Sequence, residues 1–351
     1  MDYCYNFPAV KGRQAQSEYY IAMVPCKLLA KIFNIESEDV QPEFRAQRKL
    51  NLNRIPDIKD YILNNRDSYV FSALAASIDG TFEFHELKNN IGILQVDMDS
   101  HFLINDGQHR NAAIQAAIQE DKTLENETIP IVFFADRGLK RSQQMFTDLN
   151  KYAVKPSKSQ NTFYDSKDPM SLLSREIIEK NSFLKNYTDV ENDTLGKYSA
   201  KLFTLNSFYT ANMNIIGKNE LTNEARKFCF TYWNLVVDSI QEWQQLVSKD
   251  ITKKSLREEY IVTQNIVLYS LGKLGNDMLK NGINLKKYIP RLKNINWLRS
   301  NEEWSGIAMI NGKISVKSSN ITLTYLKIKE LIGLELDEKE RQLLENIEVG
   351  R

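Results

Sequence analysis

The sequence contains few of the residues that build disulfide frameworks and metal centres. Its 351 residues include only three cysteines and three histidines. Cys4, Cys26 and Cys229 are widely separated and form no CxxC pair, so neither a disulfide framework nor a structural zinc site is expected. The histidines are not spaced as metal ligands on one helix. No residue is therefore predicted as a metal ligand from spacing alone.

Long apolar runs are also missing. No stretch approaches the roughly 18 uninterrupted apolar residues of a transmembrane helix. The first residues lack the basic and apolar pattern of a secretory signal. Together with the unpaired cysteines, these absences predict a cytoplasmic protein that does not enter a membrane.

The charge is unevenly distributed, although the formal net charge is only +1. Residues 1–150 carry 16 lysines and arginines against 21 acidic residues, residues 151–329 carry 27 against 17, and residues 330–351 carry 3 against 7. A basic middle between acidic ends is what a nucleic-acid-binding face produces. Lysines that only solvate helices would produce the same pattern.

The first 160 residues have the pattern of a mixed α/β domain. Strands are expected where β-branched and aromatic residues cluster or polarity alternates, at residues 19–25, 69–75, 92–98, 101–104 and 129–134. Helical spacing occurs at residues 26–33, 53–62 and 111–118.

Helical spacing dominates after residue 160. Long helices are expected over 224–247 and 258–274, and Asn311-Gly312 predicts a tight hairpin at 310–314. The expected fold class is therefore α/β plus α. Its domains are 1–160, mixed α/β, and 161–351, a mainly helical, basic domain with a short C-terminal hairpin and helix.

Polar chemistry is concentrated between the strand at 101–104 and the Ala-rich helix at 111–118, in the pentapeptide Asp106–Arg110. Gly107 allows a sharp turn and the close approach of a ligand. The amides that follow are the unpaired N–H groups of a helix start, which attract phosphate. Arg110 offers donors suited to phosphate oxygens.

The neighbouring side chains suit the same ligand. Gln108 can donate and accept hydrogen bonds, and His109 can transfer a proton. Asp106 could cap the helix or hold a divalent ion. Asp106 and His109 are thus the candidate catalytic groups. The alternative is purely structural: Asp106 would be an ordinary cap and His109 a satisfied core residue.

The pentapeptide DGQHR is the signature of the DGQHR-domain proteins, and the chain resembles the DndB family of DNA sulfur-modification proteins. The resemblance includes Gly12–Ala15 before Tyr19-Tyr20, a second block over Phe146–Lys151 with Val154–Pro156, and later blocks at Arg257–Ile261 and Trp297–Trp304. It therefore spans nearly the whole chain.

This resemblance implies a part in the bacterial replacement of a DNA phosphate oxygen by sulfur, as a DNA-binding repressor of the modification operon. The signature also resembles the phosphate-binding element of the ParB/sulfiredoxin superfamily at Gly107, Arg110 and Ala113. The N-terminal domain is then expected to be ParB/sulfiredoxin-like. Sulfiredoxin has a catalytic cysteine where this chain has Gln108, so thiol chemistry is not expected there.

Two further sets of residues are candidates for binding. Asp148 and Asn150 could complete a phosphate pocket opposite Arg110, or simply end a helix. The second set is basic and lies among Tyr288, Trp297 and aliphatic residues, with no acid between its members. It comprises Lys286, Lys287, Arg291, Lys293 and Arg299. Cations beside aromatic residues suit a nucleic-acid backbone, although the apolar residues could equally belong to a core.

The leading hypothesis is therefore a transcriptional regulator that binds double-stranded DNA, possesses a phosphate-binding signature turn and forms homodimers on a two-fold operator. One alternative is an enzyme that hydrolyses a nucleoside triphosphate with Mg²⁺, or cleaves a phosphodiester, at the same turn. Another is a non-catalytic subunit that bridges other proteins of the modification system.

Overall fold

The computed structural model describes residues 3–33, 50–135, 139–151 and 155–348. The chain forms two compact units, Met1–Val154 and Lys155–Arg351. The sequence placed a boundary near residue 160, which lies inside the first helix of the second unit, Lys158–Tyr164.

A seven-stranded sheet organises the first unit. Its strands are β1 (Cys4–Gln14), β2 (Ser17–Pro25), β3 (Leu74–Asp79), β4 (Phe82–Lys88), β5 (Ile91–Asp97), β6 (His101–Asp106) and β7 (Thr128–Ala135). Their order is β4-β5-β1-β2-β7-β3-β6. Only β3 and β7 run parallel, and every other neighbouring pair is antiparallel.

Three helices cover one face of this sheet. They are α1 (Cys26–Ile32), α2 (Ile55–Asn64) and α3 (Gln108–Glu120). Their buried residues, such as Leu29, Ile62 and Ala113, form one core with inward-facing strand residues such as Phe7 and Phe133. A fourth helix, α4 (Leu139–Lys151), packs against β6 at the end of the sheet.

The strand expected over 69–75 is wrong for most of its length, because β3 begins only at Leu74. The preceding backbone bonds to side chains instead of a neighbouring strand. The Val70 amide donates to the Tyr61 hydroxyl, and the carbonyls of Ser72 and Ala73 accept from Arg110. Hydrogen bonds to residues that are distant in sequence therefore outweigh the local β propensity of this segment.

The second unit is mainly helical. Its helices are α5 (Lys158–Tyr164), α6 (Pro169–Lys180), α7 (Ser182–Tyr187), α8 (Leu205–Ile216), α9 (Asn223–Ser239), α10 (Gln241–Ser248), α11 (Lys253–Glu259), α12 (Asn265–Lys280), α13 (Leu285–Tyr288), α14 (Ser318–Leu331) and α15 (Glu338–Glu348). Two short strand pairs accompany them, Thr188–Asp189 with Phe203–Thr204, and Met309–Ile310 with Lys313–Ile314. The second pair confirms the hairpin expected at Asn311-Gly312.

All four tryptophans of the chain are fully buried in this unit. Trp297 and Trp304 stack with ring centroids 5.4 Å apart. The Trp233 indole donates to Asn212, whose amide donates to Ser174, so a buried polar chain joins α9, α8 and α6. The aromatic core and this hydrogen-bonded chain fix how these three helices pack.

The two long helices expected from periodicity are shorter than predicted. The span 224–247 divides at Ile240, which is extended (φ −82°, ψ 108°), fully buried, and separates α9 from α10. In the span 258–274, α11 ends at Glu259 and α12 begins at Asn265, and between them Tyr260 forms a β-bridge with Leu298. Long-range contacts interrupt helices whose periodicity is otherwise continuous.

The sheet and helices confirm the expected mixed α/β architecture, while the ParB/sulfiredoxin likeness of the first unit stays a prediction. Within the described part of the chain, no helix is both long and apolar enough to cross a bilayer.

Candidate functional site

The signature turn, defined here as Asp106–Arg110, joins the end of β6 to the start of α3. Gly107 is the residue before the helix and has φ of +102°. A Cβ on this glycine would lie 2.3 Å from a methyl carbon of Leu74. Only glycine therefore allows the chain both this conformation and this close packing.

The start of α3 matches the expected phosphate-binding geometry in one respect. No side chain caps the helix, its first turn contains no acid, and the first bond that closes the helix runs from the Asn111 amide to the Gly107 carbonyl. The amides of Gln108 and Arg110 precede that bond and so have no partner within the helix. Gln108 itself is partly exposed.

Arg110 is held inside the protein and does not extend from the turn. Its Nη1 donates to the Ser72 carbonyl at 2.7 Å, to the Ala73 carbonyl at 3.0 Å and to the Ser72 hydroxyl, and its Nη2 lies 2.6 Å from an Asp106 carboxylate oxygen. The side chain is only 17% exposed. Arg110 thus connects the start of β3 to the turn, a contact that no spacing in the sequence indicates.

The two candidate catalytic groups have protein partners as well. Asp106 forms the ion pair with Arg110 and is 43% exposed. The Nε2 of His109 accepts a hydrogen bond of 3.0 Å from the backbone N–H of Asn51. Asn51 immediately precedes the 3-10 turn Leu52–Arg54, which leads into α2. As an acceptor, the Nε2 of His109 carries no proton.

A buried asparagine stands immediately before the signature turn. Asn105 is 1% exposed, and its side-chain amide donates to the Ser77 hydroxyl at 2.7 Å and lies 3.2 Å from the Met145 sulfur of α4. Helix α4, which contains Phe146–Lys151 of the second sequence block, therefore packs against the strand that leads into the signature turn. Its Asp148 is exposed and accepts from Gln144 at 2.7 Å.

Asn150 and Cys26 offer no further support for a site. The side chain of Asn150 lies outside the described residues. Cys26 is buried, and burial together with the nearby Glu127 raises the pKa of its thiol to about 11, which disfavours the nucleophilic thiolate. Among the described residues, no group of three histidines, cysteines or acids could hold a metal ion.

The basic segment, defined here as residues 285–299, combines buried apolar anchors with exposed cations. Ile289, Leu292, Ile295 and Trp297 belong to the core of the second unit. Two exposed cations, Lys286 and Lys287, precede these anchors, and two more, Arg291 and Lys293, lie between them. The Lys287 ammonium and the Arg291 guanidinium lie 4.9 Å and 5.2 Å from the Tyr288 ring centroid. The apolar residues are thus core, and they fix the exposed cations on α13 and the 3-10 turn Ile289–Asn294.

Arg299 differs from the other cations of this segment. It is partly buried, and burial lowers the pKa of its guanidinium. It donates to the carbonyls of Tyr260 and Arg257 at 3.2 Å and 2.6 Å. Arg257 in turn donates to the carbonyls of the surface loop 195–199. Arg299 therefore positions backbone, and its neighbour Arg257 orders a loop, which the charge pattern did not indicate.

Comparison with known proteins gives one match. Residues 7–335 match the family model of DndB, described as DNA-sulfur modification-associated. No curated protein and no solved structure matches the chain. Since the matched residues include both units, the signature turn and the basic segment, the chain belongs to the DndB family of DNA-sulfur modification-associated proteins.

Proposed function

We propose that this protein is a DNA-binding regulator of DNA sulfur modification, a repressor that contacts double-stranded DNA through the four exposed cations of the basic segment. The observation that carries the proposal is the arrangement of Lys286, Lys287, Arg291 and Lys293 on one anchored, acid-free segment. Cations on a rigid support lose less conformational entropy when they meet phosphates than cations on a mobile tail.

The charge of the second unit supports this proposal. Residues 151–329 contain more lysine and arginine than acidic residues, and this excess attracts DNA over long distances. Membership of a DNA-sulfur modification-associated family makes DNA the expected polymer. Arg299 is not part of the proposed contact surface, because it is partly buried and donates to the carbonyls of Tyr260 and Arg257. Arg291 also donates to one carbonyl, that of Ile332 at 3.0 Å, but its side chain stays exposed.

The signature turn has a second role in this proposal, as the site that senses a phosphate-bearing ligand. The amides at the start of α3 would contact the phosphate, with Gln108 beside them, and Arg110 would keep the turn in place. Asp148 and Asn150 remain candidates for the other side of this pocket. A nucleoside triphosphate with Mg²⁺ is the ligand to test first.

The decisive experiment is a fluorescence-anisotropy titration of the full chain with a duplex from its own upstream region and with a scrambled duplex, at several salt concentrations. The test variant replaces Lys286, Lys287, Arg291 and Lys293 with glutamine. The control replaces four other exposed lysines of the same unit, Lys218, Lys227, Lys253 and Lys280, and so has the same net charge.

We expect the test variant to lose most of its affinity, and the slope of log affinity against log salt to decrease by up to about 3.6, since each phosphate contact contributes about 0.9. The control should keep most of the wild-type slope. Equal losses in both variants would mean that only net charge matters, which contradicts the assigned surface. Failure of the wild type to bind any duplex would reject the regulator and favour the bridging subunit.

Nucleotide binding is tested in the same assay with and without ATP and Mg²⁺. A change in DNA affinity on addition of nucleotide, absent in Gly107→Ala, would support the sensing role of the turn. Release of phosphate that is abolished by Asp106→Asn would instead favour the hydrolytic alternative.

A further inference from the structure

The sheet of the first unit has a second face, opposite the face that α1, α2 and α3 cover. Successive side chains of a strand point to opposite faces, so the residues between the core positions lie on this second face. One cross-strand row on it consists of Ile91, Val10, Ile21 and Val132, which are successive register partners on β5, β1, β2 and β7.

A second row lies beside the first. It consists of Ile93 and Pro8, which are partners on β5 and β1, and Met23 and Pro130, which are partners on β2 and β7. These two rows, eight residues on four adjacent strands, are called the open face below. All eight are apolar, and no charged residue interrupts either row.

The open face meets solvent. Val10 is 48% exposed, Ile21 38%, Met23 56% and Ile91 55%. Helix α4 packs against β6, which is separated from the open face by β3. Isolated exposed aliphatic residues are ordinary on protein surfaces, whereas a contiguous exposed apolar area indicates a binding surface.

We infer that the open face is covered by the open face of a second copy of this chain, so that two sheets pack face to face about a two-fold axis. The absence of charge makes the surface self-complementary, because pairing it with itself brings no like charges together. The same absence makes it unsuitable for DNA, whose binding depends on cations. Two sheets can also bury their apolar faces against each other, as in β-sandwiches.

The area is sufficient for such a dimer. The exposed surface of the eight side chains amounts to roughly 500 Å² per copy. Pairing two copies therefore buries roughly 1,000 Å², before any surrounding residues are added. This area is about the lower limit for a specific interface. This inference does not depend on DNA binding and would hold for any function of the second unit.

The test is sedimentation equilibrium of the full chain at micromolar concentrations. Wild-type protein should have twice the 40.7 kDa mass of one chain. Met23→Lys places a cation in the centre of the open face. A two-fold axis would bring this lysine close to the same lysine of the second copy, and the two charges would repel each other. The matched control is Val247→Lys, since Val247 is also 56% exposed but lies in the second unit.

We expect Met23→Lys to sediment as a monomer with an unchanged circular-dichroism spectrum, and Val247→Lys to stay a dimer. Met23→Gln, a neutral substitution of similar size, should raise the dissociation constant about tenfold or more and keeps the test valid if the lysine variant does not fold. A monomeric wild type, or dimers that neither substitution at Met23 weakens, would overturn the inference.

Discussion

The strongest test of the signature turn is the substitution Arg110→Ala. In a phosphate-binding role alone, Arg110 would be an exposed cation whose removal leaves folding stability nearly unchanged. The structure gives it three oxygen acceptors in Ser72 and Ala73 and an ion pair with Asp106. We therefore expect the substitution to lower the free energy of unfolding as well as any affinity for phosphate.

The magnitude follows from these contacts. Each hydrogen bond from a charged donor contributes about 1.5 kcal/mol or somewhat more. In the variant, water can hydrogen-bond to the Ser72 carbonyl and hydroxyl and so offset part of this loss. The pair with Asp106 is worth less than about 1 kcal/mol, because Asp106 is 43% exposed. The expected loss is about 2–4 kcal/mol, which lowers the melting temperature of a unit of this size by roughly 6–12 °C.

Thermal and urea unfolding of the full chain, followed by circular dichroism, measure this loss. The matched control is Arg13→Ala, because Arg13 is an exposed arginine on β1 of the same unit. Its effect should stay within about 0.5 kcal/mol. If Arg110→Ala unfolds at the wild-type temperature while phosphate binding is lost, Arg110 is a ligand-binding group and the structural role assigned to it is wrong.

Three further outcomes are expected. Gly107→Ala should cost about 1–3 kcal/mol or more in urea unfolding, because it adds a Cβ at φ +102° close to Leu74; wild-type stability would contradict this. Iodoacetamide at pH 8 should label native protein only at the half-exposed Cys4, with three adducts by mass spectrometry after unfolding. Folding raises the pKa of both Lys329 and Tyr325, so their contribution to stability is complete below the unfolded pKa values and is lost as the pH rises through the folded ones. Stability should therefore decrease as the pH rises above about 10, and an unchanged urea midpoint between pH 9 and pH 11 would refute this.

Most elements that the sequence predicted are present, because their signals are local. The alternation of Ile91–Asp97 and the Ala-rich pattern after Arg110 depend only on neighbours in the chain. β1 was not predicted as a strand, since it contains Pro8 and a polar stretch around Gly12. It forms a strand because it pairs with β2 and β5, although its own composition does not indicate a strand.

The site was predictable in its location but not in its internal contacts. The order of a strand, a glycine turn and the start of a helix can be predicted from the motif itself. The engagement of Arg110 with Ser72, 38 residues earlier, depends on β3 and β6 becoming neighbours in the sheet. Likewise, charge counting could not separate Arg299, which binds carbonyls, from the exposed cations beside it. Pairings between distant residues leave no periodic trace in a sequence.

The place of β7 in the sheet has a consequence for synthesis on the ribosome. Among the described residues of the first unit, β7 is the last strand to be made, yet it lies between β2 and β3. Before residue 135 has left the ribosomal tunnel, the nascent chain can form only two separate ribbons, β4-β5-β1-β2 and β3-β6, each with an unpaired inner edge. The nascent unit is therefore most exposed to aggregation and chaperone capture just before β7 emerges, and the arrival of this strand completes the sheet in one step.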